Sequence, residues 1–222
     1  MIDAARIMER CDALARHSEL PGGLTRVFLS AEGRAASAQV LTWMREAGME
    51  AAIDALGNVT GRYEGERPGA PCVMLGSHLD TVRDAGRYDG MLGVISAIEC
   101  VEALAAAGTR LPFAIEVVGF GDEEGVRFGT TLLGSRAVAG TLDPSVLQAK
   151  DAQGMSIAEA LRAAGLRPED LGKVARRKGD VLAYAELHIE QGPVLESEGL
   201  ALGVVTAIND FSRLRGTLSG MA

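Results

Sequence analysis

Four short segments of the chain combine histidine and carboxylate side chains with glycine. They cover residues 76–81, 88–90, 121–125 and 186–192. Histidine and carboxylates are ligands for divalent metals such as zinc and manganese. The first, third and fourth segments each follow an apolar, strand-like run, and sites in open α/β sheets form at the carboxyl ends of strands. The pattern therefore predicts a hydrolase with a pair of metal ions.

His78 and Asp80 lie two residues apart at the end of a strand predicted at 73–77. We interpret His78 as a metal ligand and Asp80 as the residue that orients it, because a metal-bound imidazole commonly donates its second N–H to a carboxylate. The alternative is a buried histidine that is hydrogen-bonded but binds no metal. The acids of the other segments and His188 favour ligation.

Asp89 precedes Gly90 and a strongly apolar helical pattern, so its carboxylate is predicted at a helix N-terminus, where negative charge is favourable. Capping of that helix would by itself explain an aspartate at this position. A carboxylate also has two oxygens and can bridge two cations, which neither His nor Lys can do. Asp89 is therefore our candidate for a bridging ligand.

Three adjacent acids, Asp122, Glu123 and Glu124, follow the apolar run 115–120. A solvated, charged loop is the alternative explanation for them. Neighbouring side chains of an extended segment point to opposite sides, so one glutamate can contact a metal while the next faces the substrate. A carboxylate beside a metal-bound water can take its proton and pass it to a leaving nitrogen.

Two of the three histidines follow predicted strands, because His188 comes at the end of a strand-like run, 181–187. The third, His17, follows a helix and has no predicted role. The chain lacks a phosphate-binding glycine loop, and 76–78 lacks the context of a nucleophile elbow. The histidine and carboxylate chemistry is therefore the best supported.

The composition indicates a globular protein with a substantial core, since 47% of its 222 residues are hydrophobic. The net charge of -8 argues against nucleic acid, which needs clustered Lys and Arg. The N-terminus has an acid where a signal peptide needs basic residues, and no stretch approaches membrane-spanning length. Three widely spaced cysteines indicate reduced thiols. We expect a cytoplasmic protein without nucleic-acid or membrane partners.

The elements that must position these segments alternate between strands and helices. Apolar periodicity predicts helices near 7–14, 30–47, 90–107, 131–139 and 156–164. Strands are predicted as a hairpin within 50–64 and at 73–77, 113–120 and 181–190, with further strand-like runs at 200–208 and 212–219. This alternation predicts an α/β fold with a mostly parallel mixed sheet and helices on both faces.

The motifs together resemble the metal-dependent amidohydrolases of the M20 peptidase clan, in the branch of N-carbamoyl-L-amino-acid hydrolases, β-ureidopropionases and allantoate amidohydrolases. The motifs are Gly76-Ser-His-Leu-Asp-Thr, Tyr88-Asp-Gly, Asp122-Glu-Glu-Gly-Val-Arg-Phe and Glu186-Leu-His-Ile-Glu-Gln-Gly-Pro. The resemblance covers virtually the whole chain and implies a zinc-peptidase-like catalytic domain. It also implies hydrolysis of a carbamoyl (ureido) C–N bond, with release of ammonia and carbon dioxide.

The resemblance implies two divalent metal ions, zinc, manganese or cobalt, and a set of ligands for them. It assigns His78 and His188 to one ion, Glu124 to the other and Asp89 to the bridge between them. The peptidase branches usually have a carboxylate at the position of His188, so the histidine favours the ureido-hydrolysing branch.

The remaining candidates receive catalytic and substrate-binding roles by the same resemblance. Glu123 is implied as the general base, Asp80 as the residue that orients His78, and Gln191 as a substrate-binding residue. An aminoacylase or dipeptidase on the same scaffold is the alternative enzyme, and a catalytically incomplete metal-binding fragment is the alternative outside catalysis. The motifs do not choose among allantoate, N-carbamoyl amino acids and β-ureidopropionate as the small-molecule substrate.

The resemblance finally predicts the domain organisation. Residues 1–210 are expected to form the N-terminal part of the catalytic domain, and residues 211–222 the first strand of a lid and dimerisation domain that is cut short. One metal ligand and the lid residues of the family are expected beyond this segment. We therefore expect a homodimer for the complete protein and low activity for this chain.

Overall fold

The computed structural model describes residues 2–208 and residue 216. Within them the strands are β1 Glu50–Ile53, β2 Val59–Tyr63, β3 Cys72–His78, β4 Ala114–Phe120 and β5 Val181–Ala185. The α-helices are α1 Ala4–Ala15, α2 Ala31–Glu46, α3 Met91–Ala106, α4 Leu133–Val138, α5 Ile157–Ala163 and α6 Val194–Ser197. Short 3₁₀ helices cover Pro144–Gln148 and Pro168–Lys173. The predicted helices and the hairpin are confirmed.

The five strands form one mixed sheet in the order β1-β2-β4-β3-β5. Strand β2 runs antiparallel to both β1 and β4, whereas β3 runs parallel to β4 and β5. Four strands therefore point in one direction and only β2 opposes them, which confirms the predicted mostly parallel mixed sheet. The carboxyl ends of β3, β4 and β5 consequently lie along one edge.

Helices cover both faces of this sheet, and the alternation of side chains along β4 shows the two cores. Ile115 and Val117 face a core with α1, α2 and α3, whereas Val118 and Phe120 face a core with α4 and α5. All seven residues of β4 are buried, as expected for a central strand with helices on both sides.

The helix that follows Asp89 must approach the sheet closely. Most of α3 is apolar, and eight of its residues are buried. A Cβ atom at Gly93 would collide with the carbonyl oxygen of Leu187 and come within 2.9 Å of the Ser77 Cβ. Glycine at this position therefore allows α3 to pack against the ends of β3 and β5, where the candidate site lies.

Two strand predictions differ from the structure. The strand predicted at 181–190 ends at Ala185, so His188 lies three residues beyond β5. Residues 202–208, inside the strand-like run 200–208, are neither helical nor in a strand, and no described segment pairs with them. β-Propensity alone does not make a strand without a partner for its backbone groups.

The chain divides into two compact units, residues 1–189 and residues 190–222. The first contains the sheet and the helices α1 to α5, and the second contains α6. The predicted strand 212–219 and the predicted lid segment 211–222 lie outside the described residues, apart from residue 216. Within the described part of the chain, no helix is long and apolar enough to cross a membrane.

Candidate metal centre

His78 ends β3 and is almost fully buried, with 4% of its surface exposed. Its Nδ1 atom lies 2.8 Å from the main-chain oxygen of Asp80. A carbonyl oxygen can only accept, so Nδ1 carries the proton and a neutral ring presents Nε2 as a free acceptor. Gly90 has a φ of 79°, and a Cβ atom there would lie 2.6 Å from the His78 ring. Glycine at 90 therefore leaves room for the imidazole.

His188, three residues beyond the end of the neighbouring strand β5, has the same arrangement. Its Nδ1 atom lies 2.9 Å from the main-chain oxygen of Ile189, which again directs Nε2 away as an acceptor. The Nε2 atoms of His78 and His188 are 3.3 Å apart, and their rings stack with centroids 5.5 Å apart. Parallel pairing of β3 with β5 brings the two rings together.

Asp89 completes a triangle of metal-ligating atoms with the two histidines. Its Oδ1 atom lies 3.6 Å from Nε2 of His78 and 3.1 Å from Nε2 of His188. In tetrahedral coordination with bonds of about 2.0 to 2.1 Å, neighbouring ligand atoms are about 3.3 Å apart. The three observed separations bracket that value. These residues therefore fit a divalent metal ion.

A second group of candidate ligands consists of His78, Glu123 and Glu124, whose ligating atoms all lie within 4.8 Å of one another. Burial raises the pKa of both glutamates above its ordinary value. His78 opposes this rise in each case, and neighbouring acids reinforce it. A carboxylate with a raised pKa accepts a proton more readily at neutral pH, which suits proton transfer.

The carboxylate of Asp80 holds the two glutamates in place. Its Oδ1 accepts the backbone N–H of Glu123 at 3.0 Å, and its Oδ2 accepts the backbone N–H of Glu124 at 3.1 Å. The side chain of Asp80 was expected to orient His78, but the His78 ring donates from Nδ1 to the main-chain carbonyl of Asp80 instead. Asp80 thus contacts the His78 ring through its main-chain carbonyl and the two glutamates through its carboxylate, whereas the carboxylate was predicted to contact His78.

Asp122 differs from a solvated loop residue, because its side chain is fully buried and no described residue donates a hydrogen bond to its carboxylate. Burial raises the pKa of Asp122 to about 8, and the nearby Asp80 adds to this effect. Its φ of 54° lies in the left-handed region. The three acids are therefore not a solvated charge run, since the first faces the interior.

Two buried polar residues that the sequence did not single out support the site. Asn58 is fully buried, accepts the N–H of Gly121 at 3.0 Å and donates to Asp54 at 2.8 Å. Arg26 is also fully buried and donates from Nε to the carbonyl of Leu79 at 3.0 Å. The sequence placed Asn58 only within the predicted hairpin 50–64, and nothing around Arg26 indicated that its charge is buried.

The candidate site opens into a cleft of about 730 Å³ on the first compact unit. His78, Glu123 and His188 line it together with Tyr184 and Glu186. Gln191, predicted to bind substrate, belongs to the second compact unit and remains a prediction. The first unit therefore contains the predicted ligands, the predicted base and an adjoining cleft large enough for a small molecule.

An α/β sheet with histidine and carboxylate groups gathered at the carboxyl ends of its strands is an arrangement typical of metal-dependent hydrolases. The chain belongs to Peptidase family M20/M25/M40, whose profile it matches over residues 74–217. Its relatives include amidohydrolases, which confirms the resemblance noted from the motifs.

Three relatives illustrate this similarity. The N-carbamoyl-L-amino acid amidohydrolase of Geobacillus stearothermophilus is 47% identical over 223 residues, which cover 100% of this chain and 54% of that protein. The probable allantoate deiminase of Oryza sativa subsp. japonica is 45% identical over 95% of this chain and 44% of its own length. A hydantoinase/carbamoylase family amidase from Burkholderia ambifaria superposes with a TM-score of 0.81 at 38% identity, over 89% of this chain and 48% of that one. The chain thus spans about half the length of these relatives.

Proposed function

We propose that this chain is part of a dinuclear metal-dependent amidohydrolase that cleaves a carbamoyl (ureido) C–N bond in N-carbamoyl amino acids or allantoate. Residues 1–210 are assigned to its catalytic domain and residues 211–222 to the start of a lid and dimerisation domain. The complete protein is proposed to be a cytoplasmic homodimer. The names of the amidohydrolase and deiminase relatives support the substrate class.

The convergence of His78, His188 and Asp89 is the observation that carries the proposal. Three acceptor atoms 3.1 to 3.6 Å apart repel one another unless a cation or protons lie among them. We assign His78 and His188 to one metal and Asp89 to the bridge. Glu124, the remaining proposed ligand, is assigned to a second metal; zinc, manganese and cobalt all suit this donor set.

Bound divalent ions would supply polarisation of the ureido oxygen and activation of water at neutral pH. Glu123 accepts the proton of the attacking water and delivers it to the leaving nitrogen. Asp80 holds the backbone of Glu123 during both transfers. The balanced reaction converts the carbamoyl compound and one water into an amine, ammonia and carbon dioxide.

Ammonia release by the full-length protein tests the proposal. N-carbamoyl amino acids, allantoate and β-ureidopropionate are compared with N-acetyl amino acids and dipeptides, after reconstitution with zinc, manganese or cobalt. We expect metal-dependent ammonia release from at least one ureido compound and its loss in the Glu123→Gln variant. Hydrolysis of dipeptides or N-acetyl amino acids alone would replace the proposed substrate class with that of an aminoacylase or dipeptidase.

A further inference from the structure

Glu186 is a carboxylate in the cleft that has no assigned role in metal binding or proton transfer. It follows β5 directly and lines the same cleft as Glu123 and His188. Its side chain is exposed, and no described Lys, Arg or His forms an ion pair with it. A ligand in the cleft can therefore reach this carboxylate.

Two hydroxyl groups fix the position of the Glu186 side chain. Ser77 donates from Oγ to Oε1 at 2.7 Å, and Tyr184 donates from its phenol oxygen to Oε2 at 2.6 Å. Ser77 is fully buried on β3, so its hydroxyl is a rigid anchor. Burial and the contact with Glu186 both raise the pKa of Tyr184, so its hydroxyl remains a donor at neutral pH.

The hydroxyl contacts leave part of the acceptor capacity of Glu186 unused. An ionised carboxylate has about four lone-pair sites and no donor. Two of these sites receive the hydroxyls, and the others are available for N–H groups of a molecule in the cleft. A ligand that offers N–H donors is therefore favoured over one of the same shape that offers a methyl group.

We propose that Glu186 binds the terminal amino group of the ureido substrate and thereby selects carbamoyl compounds over N-acyl compounds of the same size. This inference rests on the proposed function. Glu123 serves the nitrogen that leaves, so the other nitrogen of the ureido carbon needs a separate acceptor. An N-acetyl analogue has a methyl group there and leaves a carboxylate without its partner, which costs binding free energy.

Equilibrium binding separates this role from catalysis. N-carbamoyl-L-alanine and N-acetyl-L-alanine, which differ by NH₂ in place of CH₃, are titrated calorimetrically into full-length Glu123→Gln protein, in which turnover is strongly slowed. We expect the carbamoyl compound to bind more tightly. Adding Glu186→Gln should weaken its binding about 10- to 100-fold and leave N-acetyl-L-alanine nearly unchanged.

Two further variants keep the result interpretable. Glu9→Gln makes the same substitution at an exposed residue of α1 and should change neither affinity. Tyr184→Phe keeps the ring but removes one hydroxyl that orients Glu186, and it should weaken only the carbamoyl compound, by a smaller factor. The inference would be overturned if the Glu123→Gln protein bound both ligands with equal affinity. It would also be overturned if Glu186→Gln lowered the affinity for both ligands by the same factor.

The Glu186→Gln substitution, made in protein that retains Glu123, distinguishes this inference from the proposed function. If the Glu186→Gln variant with Glu123 intact still releases ammonia from a carbamoyl compound and keeps its preference for carbamoyl over acetyl compounds, the role of Glu186 is overturned. The proposed function is then unaffected. Absence of ammonia release from every ureido compound overturns the proposed function and this inference together. Loss of selectivity with retained ammonia release supports both.

Discussion

The Nε2 atoms of His78 and His188 face each other across 3.3 Å, while the Nδ1 atom of each ring is paired with a main-chain carbonyl. In neutral rings with these tautomers, two nitrogen lone pairs point at one another and at the carboxylate of Asp89. Such an arrangement is unfavourable without positive charge between the acceptors, and the rings are held in it by the backbone around them.

Replacement of His188 should therefore weaken metal binding strongly. We expect His188→Asn to lower zinc affinity by more than the roughly 10- to 100-fold that loss of an outer-shell partner costs, because a direct ligand is removed. Calorimetric titration of the metal-free protein measures the effect. His17→Asn is the matched control, because the His17 ring contacts Gln39 rather than the site. Equal affinities in the two variants would rule out His188 as a ligand.

Substitutions of the two adjacent glutamates should have different effects on metal content and on kcat. Glu123→Gln should leave metal content nearly intact and lower kcat about 10²- to 10⁴-fold, because a general base is lost but no ligand. Glu124→Gln should lower metal occupancy itself. Metal analysis and steady-state kinetics on the same preparations test both expectations. Similar metal loss in the two variants would show that the division of labour is wrong.

Sequence patterns could predict most of the fold because its helices and strands have strong apolar periodicity. The nearly continuous apolar run of β4 and the apolar helix α3 are visible in the sequence itself. The extent of β5 was overestimated, because residues 186–190 alternate polar and apolar side chains as a strand does, whereas the pairing of β5 with β3 ends at Ala185. Strand ends at a site depend on tertiary contacts that local sequence does not encode.

That the candidate ligands lie close together could also be predicted, since histidines and carboxylates that follow neighbouring parallel strands meet at one edge of the sheet. The supporting contacts could not, because they use backbone atoms and distant residues. Asp80 illustrates the difference: its carbonyl holds His78, and its carboxylate holds two N–H groups more than 40 residues away in the sequence. Burial of Asp122 and Asn58 likewise follows from packing around the loop after β4, which no local pattern reveals.

The contact of Glu99 with Arg6 should make the stability of the fold fall at acidic pH. Its side chain is fully buried on α3 and accepts hydrogen bonds from Arg6, which lower the pKa of its carboxyl. A carboxyl whose pKa is lower in the folded than in the unfolded chain stabilises the fold at pH values above the unfolded pKa. This contribution disappears as the pH falls through the folded pKa. Glu99→Gln should therefore cost about 1 to 3 kcal/mol at pH 7 and less at pH 3.

Urea unfolding of wild-type and Glu99→Gln chains at several pH values measures this difference. Glu169→Gln is a suitable control, because its contact with Arg162 joins two exposed side chains and should matter little. A stability difference that stays constant between pH 7 and pH 3 would contradict the assignment of the effect to the charge of Glu99.

Asn58 should couple the stability of the hairpin to the geometry of the catalytic glutamates. Its amide donates to the carboxylate of Asp54, and its oxygen accepts the N–H of Gly121, two residues before Glu123. Asn58→Asp keeps the shape but places two carboxylates against each other in a buried site. We expect a cost of about 2 to 4 kcal/mol at pH 8, together with a lower kcat and retained metal.

The pH dependence of the stability of Asn58→Asp tests this prediction. Two adjacent buried carboxylates raise each other's pKa, so in Asn58→Asp one of them stays protonated at acidic pH and can again donate a hydrogen bond. A carboxyl whose pKa is higher in the folded than in the unfolded chain stabilises the fold at pH values below the unfolded pKa, and this contribution is lost as the pH rises through the folded pKa. The loss of stability caused by Asn58→Asp should therefore be smaller at pH 5 than at pH 8. Asn58→Ala lacks the added carboxyl, and its deficit, measured by urea unfolding, should change less over this range. A parallel pH dependence in the two variants would show that the Asp54 contact is not what Asn58 contributes to the site.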